Sequence, residues 1–221
     1  MVDTKRIVDV AIAGAALVAS SPLLLAVAAA IKLDSPGPAL FVQMRVGRGG
    51  RPIRIPKFRT MVTGGERSGP AVTAARDPRI TRVGGFLRRT KLDELPQLWS
   101  VLRGDMSIVG PRPEVEHYVA RYRPEWRRLL DVRPGLTDLA SLTFRDEENV
   151  LAAANDRERA YVEVIMPLKL GLALRGVENR SVLQDLRVIA RTAAAVVRRM
   201  PDDPVVQEAH RQIAELNRGH A

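Results

Sequence analysis

Between residues 7 and 31 the chain is apolar almost without a break, interrupted by Asp9 and by Ser20-Ser21-Pro22. As one continuous helix this run would measure about 38 Å at 1.5 Å per residue, enough for a hydrocarbon core of roughly 30 Å. Pro22 has no N–H and its ring clashes with the preceding turn, so a bend is expected at Ser21-Pro22. A serine hydroxyl can satisfy the carbonyl that the proline frees. After the breaker cluster Ser35-Pro36-Gly37-Pro38 the pattern changes. Residues 39–46 and 53–61 read as strands joined by a glycine-rich turn, and Pro56 marks the second as an edge or bulged strand. Residues 62–75 have no clear period and predict a loop, either closing over a site or serving as a plain linker. Helical patterns cover 83–89, 95–103, 114–130 (interrupted at Pro124), 156–175 and 181–200, with a further short helix at 205–217. The chain therefore predicts an α+β fold.

Three readings fit the N-terminal run. Lys5-Arg6 before it and Ala26-Val27-Ala28 within it resemble a signal peptide. Its length alone also fits a spanning helix. The third reading is a re-entrant hairpin of two arms bent at Ser21 and Pro22. Basic residues on both sides, Lys5 and Arg6 before and Lys32, Arg45 and Arg48 after, favour two cytoplasmic ends. Asp9 either pairs with a cation at the membrane interface or is a solvated first-turn acid.

The densest chemistry lies around Asp93-Glu94, preceded by Arg88, Arg89 and Lys91 and followed by Gly110-Pro111-Arg112-Pro113. Pro96 belongs in a first turn and Gly104 is a stop signal, which predicts a helix over 95–103 with the pair at its mouth. Carboxylates there stay ionised. An ionised Asp flanked by cations suits attack on phosphorus, and two neighbouring carboxylates facing a diphosphate would hold Mg²⁺. The plain alternative is a capping box at Thr90-Lys91-Leu92-Asp93 with solvated arginines.

Composition narrows the partners. Lys and Arg total 35 against 25 acidic residues, a net charge of +10, which favours anionic partners. Aromatics make up 4%, little stacking surface for a nucleic-acid binder. With no cysteine, disulfides and thiolate metal sites are excluded. No GxxxxGK[ST] loop is present, which disfavours a nucleotide-dependent kinase.

An ordered set of motifs then carries a resemblance: Lys57-Phe58-Arg59, Asp77-Pro78-Arg79, Leu87-Arg88-Arg89, Leu92-Asp93-Glu94-Leu95-Pro96-Gln97, Gly104-Asp105-Met106-Ser107, Val109-Gly110-Pro111-Arg112-Pro113 and Arg133-Pro134-Gly135-Leu136-Thr137. Together they resemble the bacterial sugar transferases called monotopic phosphoglycosyl transferases. The resemblance covers about two thirds of the chain. It implies transfer of a phosphosugar from a UDP-sugar to a polyprenol phosphate at the cytoplasmic face of the bacterial inner membrane, with the lipid bilayer as a partner. It makes Asp93 the nucleophile of a covalent phosphosugar intermediate and Glu94 its assistant, with Mg²⁺ at the pair. It places Lys57, Arg59, Arg88, Arg112 and Arg145 near phosphates, and gives Pro111 and Pro113 the presentation of Arg112. The fold it implies is a re-entrant membrane helix at 1–34, a small, mostly helical catalytic domain with a short β-hairpin at 35–200, and a polar tail at 201–221.

Some positions stay open. Arg145 either contacts phosphate or pairs with the acids after it. Residues 181–200 either lie on an anionic membrane surface or pack on the domain. Tyr118, Tyr122 and Trp126, every four residues, are more often a packing face. Many family members have Gly at 138 and Gln at 141, where this chain has Asp138 and Ser141. The competing classes are a non-catalytic basic membrane-surface protein and a nucleic-acid-binding protein. The sugar, the pathway and the oligomeric state are not legible.

Overall fold

The computed structural model describes residues 4–65, 77–197 and 203–218. It opens on α1 (Thr4–Asp34), 31 residues of helix that continue through Pro22. The two arms expected from the sequence are joined without an intervening turn. The reason is local: Pro22 cannot donate to Val18, and Ser21 Oγ donates to that carbonyl instead at 2.8 Å, while Ser20 Oγ donates to Ala16 at 2.6 Å. By length and composition α1 is able to cross a membrane.

One stripe of α1 faces the domain along both halves. Ala13, with Ile12, Ala16 and Leu17, packs into a core that includes Leu98, Val101, Met106 and Ile108. Val27 and Ile31 pack with Phe58 and Leu87. The other side leaves Val18, Leu23 and Leu25 exposed. Polar ties hold the N-terminal end: Asp9 accepts from Ser107 Oγ at 2.7 Å and from the Ile108 N–H at 3.1 Å. Lys5 pairs with Asp185 at 2.5 Å, and Arg6 donates to the Val101 and Leu102 carbonyls. Asp9 is therefore neither solvated nor at a free surface.

β1 (Leu40–Val46) and β2 (Pro52–Phe58) form the expected antiparallel hairpin, with Val42 opposite Pro56. A two-stranded ribbon has only edges, so Pro56 is tolerated. Then come α2 (Arg82–Thr90), a 3₁₀ turn at Leu92–Gln97, α3 (Leu98–Arg103) and β3 (Ser107–Val109). After α4 (Glu116–Val119) and a 3₁₀ segment at Pro124–Asp131, β4 (Gly135–Thr137) pairs in parallel with β3. The helical stretch expected at 114–130 is interrupted at Pro124 as predicted, in two short pieces, the second started by that proline. This second sheet was not expected.

The C-terminal part comprises α5 (Leu139–Thr143), α6 (Glu147–Leu151), α7 (Arg157–Ala160), a π turn at Tyr161–Ile165, α8 (Met166–Glu178), α9 (Val182–Val197) and α10 (Pro204–Arg218). Tyr118, Tyr122 and Trp126 are buried with these helices, as a packing face. α9 divides the two readings of its stretch: Val188 and Ala195 are buried in the domain, while Val182, Leu183 and Leu186 are exposed. The tail is not merely polar. α10 buries Ala209 and Ile213 in the main core, and Asn217 exchanges hydrogen bonds with Ala153 and Asn155. The expected loop at 62–75 lies mostly outside the described residues.

Candidate active site

Two close approaches of backbone set the site. Gly84, in the first turn of α2, lies so near Thr60 that any Cβ there would collide with the Thr60 backbone. Thr81 caps this helix, its Oγ1 accepting from the Gly84 N–H at 3.0 Å. Gly135 meets Gly110 equally closely, so the chain entering β4 crosses the end of β3. The Gly135 N–H donates to Pro111 O at 2.9 Å and the Gly110 N–H to Thr137 O at 3.1 Å. The turn Pro111-Arg112-Pro113 is thereby fixed beside the carboxylate pair.

The pair itself sits one step further into its helix than expected. Lys91 adopts a left-handed conformation (φ 58°) and joins α2 to the 3₁₀ turn that carries Asp93 and Glu94. No capping box forms: Thr90 Oγ1 donates back to Phe86 and Leu87. The reversal at Lys91 redirects the chain, so the first turn winds tightly with no side-chain cap. Pro96 lies inside that 3₁₀ segment, past its first three residues, so it forgoes one i to i−3 bond just before α3 begins at Leu98.

Glu94 is held by Arg112 in a two-pronged contact, Nη1 to Oε2 at 3.0 Å and Nη2 to Oε1. The turn is tied from behind as well. Glu114 accepts from Arg45 at 2.7 Å and from the Tyr161 hydroxyl at 2.6 Å, and its carbonyl accepts from the Val46 N–H. Asp93 is buried, and its Oδ1 has no hydrogen-bond partner. Four residues on, Gln97 is 2% exposed with Nε2 also unpartnered. Buried polar groups in native interiors are usually met by a protein group, an ordered water, an ion or a ligand.

The electrostatics separate the two carboxyls. Burial, with the Glu94 charge adding to it, pushes Asp93 up to about 6, while Lys57, Lys91 and Arg88 pull it down. Burial would raise Glu94 too, but the Arg112 and Lys57 cations prevail and hold it well below the usual carboxylate range. Burial lowers the Lys57 ammonium to about 8 against the opposing pull of Glu94. At neutral pH the site thus presents an ionised pair, a charged lysine and a charged arginine.

The structure does not gather every expected cation. Lys57 and Arg112 face the pair. Arg88, half-buried, pairs with Glu148, lies 3.4 Å from Thr60 Oγ1 and is close enough to act on Asp93; Arg89 is exposed. Arg145 is half-buried and, among the described residues, makes no hydrogen bond or ion pair; of the three acids after it, Glu147 is paired with Lys169 and Glu148 with Arg88. Arg59 lies apart from the pair. It is 3% exposed and donates to the Pro36, Ser35 and Ile31 carbonyls and Thr63 Oγ1, closing the end of α1. β2 ends at Phe58, so the alternation that would set Arg59 beside Lys57 does not continue. Asp77, held at about 2 chiefly by its hydrogen bonds to Arg79, belongs to a turn clamp at the ends of the 66–76 segment.

Gln97, Arg45 and Glu114 were not assigned a site role from sequence, whereas Lys91 was, among the cations before the pair. Gln97 had a signal, its one-turn spacing from Asp93; Glu114 had none. No group of three or more His, Cys, Asp or Glu residues fit for a metal occurs among the described residues. Mg²⁺ does not need one. It is commonly held by one or two carboxylates together with substrate phosphates and water. The Asp93 carboxylate and the lone pairs of Glu94 left over by Arg112 fit that requirement.

A buried, ionised dyad walled by lysine and arginine defines an enzyme that acts on phosphorylated substrates. The model of the bacterial sugar transferase family matches residues 2–199, and the chain belongs to that family. It is 42% identical over 200 residues to the UDP-glucose:undecaprenyl-phosphate glucose-1-phosphate transferase of Caulobacter vibrioides, covering 87% of this chain and 69% of that protein. It is 40% identical to exopolysaccharide production protein PSS of Rhizobium leguminosarum bv. phaseoli, covering 88% of this chain and 96% of that one. A third relative is the UDP-N-acetylgalactosamine-undecaprenyl-phosphate N-acetylgalactosaminephosphotransferase of Aeromonas hydrophila. It is 45% identical over 62% of this chain, which spans about a third of its length.

Proposed function

We propose that this protein transfers a sugar 1-phosphate from a UDP-sugar to undecaprenyl phosphate, in the first membrane step of exopolysaccharide assembly. The names of its relatives supply both substrates. The observation that carries the mechanism is the unpartnered, buried Asp93 Oδ1 beside a Glu94 already held by Arg112. Asp93 Oδ1 attacks the phosphorus that bears the sugar. The bond from that phosphorus to the bridging oxygen breaks, and UMP leaves with the electron pair. The acceptor's phosphate oxygen then attacks the same phosphorus and frees the Asp93 carboxylate, giving a diphosphate-linked sugar. Lys57 and Arg112 offset the charge that builds on the transferring group, and Arg88 and Arg145 are further cations assigned to its outer phosphate oxygens. Pro111 and Pro113 limit the freedom that Arg112 loses on binding. Mg²⁺, when bound by Asp93 and Glu94 together with the diphosphate, neutralises phosphate charge.

The same proposal places the enzyme on the cytoplasmic face of the inner membrane, with α1 entering and leaving by one side. Both ends of α1 pack on the same domain, and exposed Val18, Leu23 and Leu25 lie between them. Exposed Phe86 and Trp99 add apolar surface suited to the headgroup level.

The test is transfer with purified enzyme, labelled UDP-glucose or UDP-N-acetylgalactosamine, Mg²⁺ and undecaprenyl phosphate in detergent. Labelled lipid together with UMP is the expected result. Release of UDP instead would mean sugar transfer without its phosphate, and the proposal would fail.

A further inference from the structure

The turn that presents Arg112 also walls an open cleft. Arg112, Glu114, Asp138 and Lys169 supply its charge, and Tyr122, Tyr161 and Met166 part of its apolar flank. Most of the charged groups are spoken for. Arg112 holds Glu94, Lys169 pairs with Glu147 at 2.5 Å, and Glu114 is shared by Arg45 and Tyr161. Asp138 is different. It is 6% exposed; Oδ1 accepts from the Ser141 N–H at 2.7 Å and caps α5, but Oδ2 is buried with no partner. Ser141 Oγ is likewise buried and unpartnered.

These groups ask for a particular ligand. A buried acceptor is satisfied by an O–H or N–H donor, and an anionic group would be repelled by the carboxylate. Burial raises the pKa of the Asp138 carboxyl, with Lys169 and Arg112 pulling the other way, so a second cation is not called for either. The cleft therefore has a phosphate end at Arg112 and a neutral, hydrogen-bonding end at Asp138. Tyrosine and methionine side chains beside that end suit the C–H faces of a pyranose. If the site transfers phosphosugars, as proposed above, the ring attached to the phosphate at Arg112 is the group that reaches Asp138. We propose that Asp138 accepts a hydrogen bond from a hydroxyl of the donor's sugar and is a specificity-determining residue of this enzyme.

Asp138→Asn separates this role from capping. The amide keeps an oxygen for the Ser141 N–H and turns the free acceptor into a donor. Wild type and variant are compared for kcat/KM and for equilibrium binding with UDP-glucose, UDP-galactose, UDP-N-acetylglucosamine and UDP-N-acetylgalactosamine, with UMP inhibition and Tm measured alongside. The expected result is a 10- to 100-fold change in the ratios between donors, with UMP inhibition within twofold of wild type and Tm unchanged. An equal loss for all donors, or unchanged ratios, overturns the assignment. A loss of UMP inhibition matching the loss of donor binding also overturns it, because it would put the nucleoside in the cleft. Binding ratios that shift while the wild type transfers none of the sugars would keep Asp138 on the sugar and sink the reaction instead.

Discussion

Asp9 and Asp93 are 5% and 9% exposed, and each sits where the chain packs on a distant part of itself. Around Asp9 both oxygens are engaged, by the Ser107 hydroxyl and the Ile108 N–H, with Lys5 3.8 Å away. Around Asp93 the carboxylate keeps Oδ1 without a partner, and Gln97 one turn away keeps an unpartnered amide nitrogen. A satisfied buried acid repays its desolvation inside the fold and joins two elements. An unsatisfied one carries that cost until a substrate arrives. The first region is an anchor; the second, on the function proposed above, is where the chemistry would occur.

The contrast is broken most severely at Asp93. Asp93→Asn is expected to lower transfer at least 10³-fold, with Tm equal to wild type or higher at pH 7, because an ionised buried group is removed. The sign follows from linkage. With its folded pKa raised, Asp93 weakens the fold as pH rises through the window from about 4 to 6. A large fall in Tm would mean that Asp93 is an anchor like Asp9.

Next is Arg112→Ala, which strips Glu94 of its two-pronged partner. A loss of about 10²- to 10³-fold in kcat is expected, and Arg112→Lys should restore little, since one ammonium cannot supply the fork. Full rescue by lysine in a steady-state assay would show that only net charge matters there.

The pH profile gives a smaller effect. Below about 6 Asp93 takes up a proton and stops being a nucleophile, and above about 8 Lys57 loses its charge. The kcat/KM profile should therefore be a bell with limbs near those values. Lys57→Arg should move the alkaline limb upward, as arginine stays charged. A limb unmoved by this change would belong to another group.

The smallest effect on activity is expected at the anchor. Asp9→Asn should cost about 1–3 kcal/mol of stability by denaturant titration, with activity per folded molecule close to wild type. Loss of activity without loss of stability would erase the distinction between the two regions.

How much of this was legible depended on the range of the interaction. Asp93, Glu94 and Pro96 are a local pattern, and so is the hairpin of β1 and β2. The pairing of β3 with β4 was not legible, since three-residue strands hold no alternation to count. Arg59 misled because Lys57-Phe58-Arg59 gives no sign that the strand stops at Phe58. The meeting of Glu114 with Arg45, and of Asp9 with Ser107, spans long stretches of chain and has no local mark. α10 did carry a signal: Val206, Ala209, Ile213 and Leu216 recur at helical spacing, and that stripe is what docks on the core. The free oxygen of Asp138 is a property of packing, which no local pattern encodes.

The central claim is that Asp93 itself carries the phosphosugar. Intact-protein mass, followed by peptide mapping, after mixing enzyme with UDP-glucose or UDP-N-acetylgalactosamine and Mg²⁺ but no acceptor, tests it most directly. The account predicts one added phosphosugar mass on the peptide containing Asp93, discharged by undecaprenyl phosphate and absent in Asp93→Asn. An Asp93→Asn protein that still gained the adduct, or turned over at the wild-type rate, would contradict it.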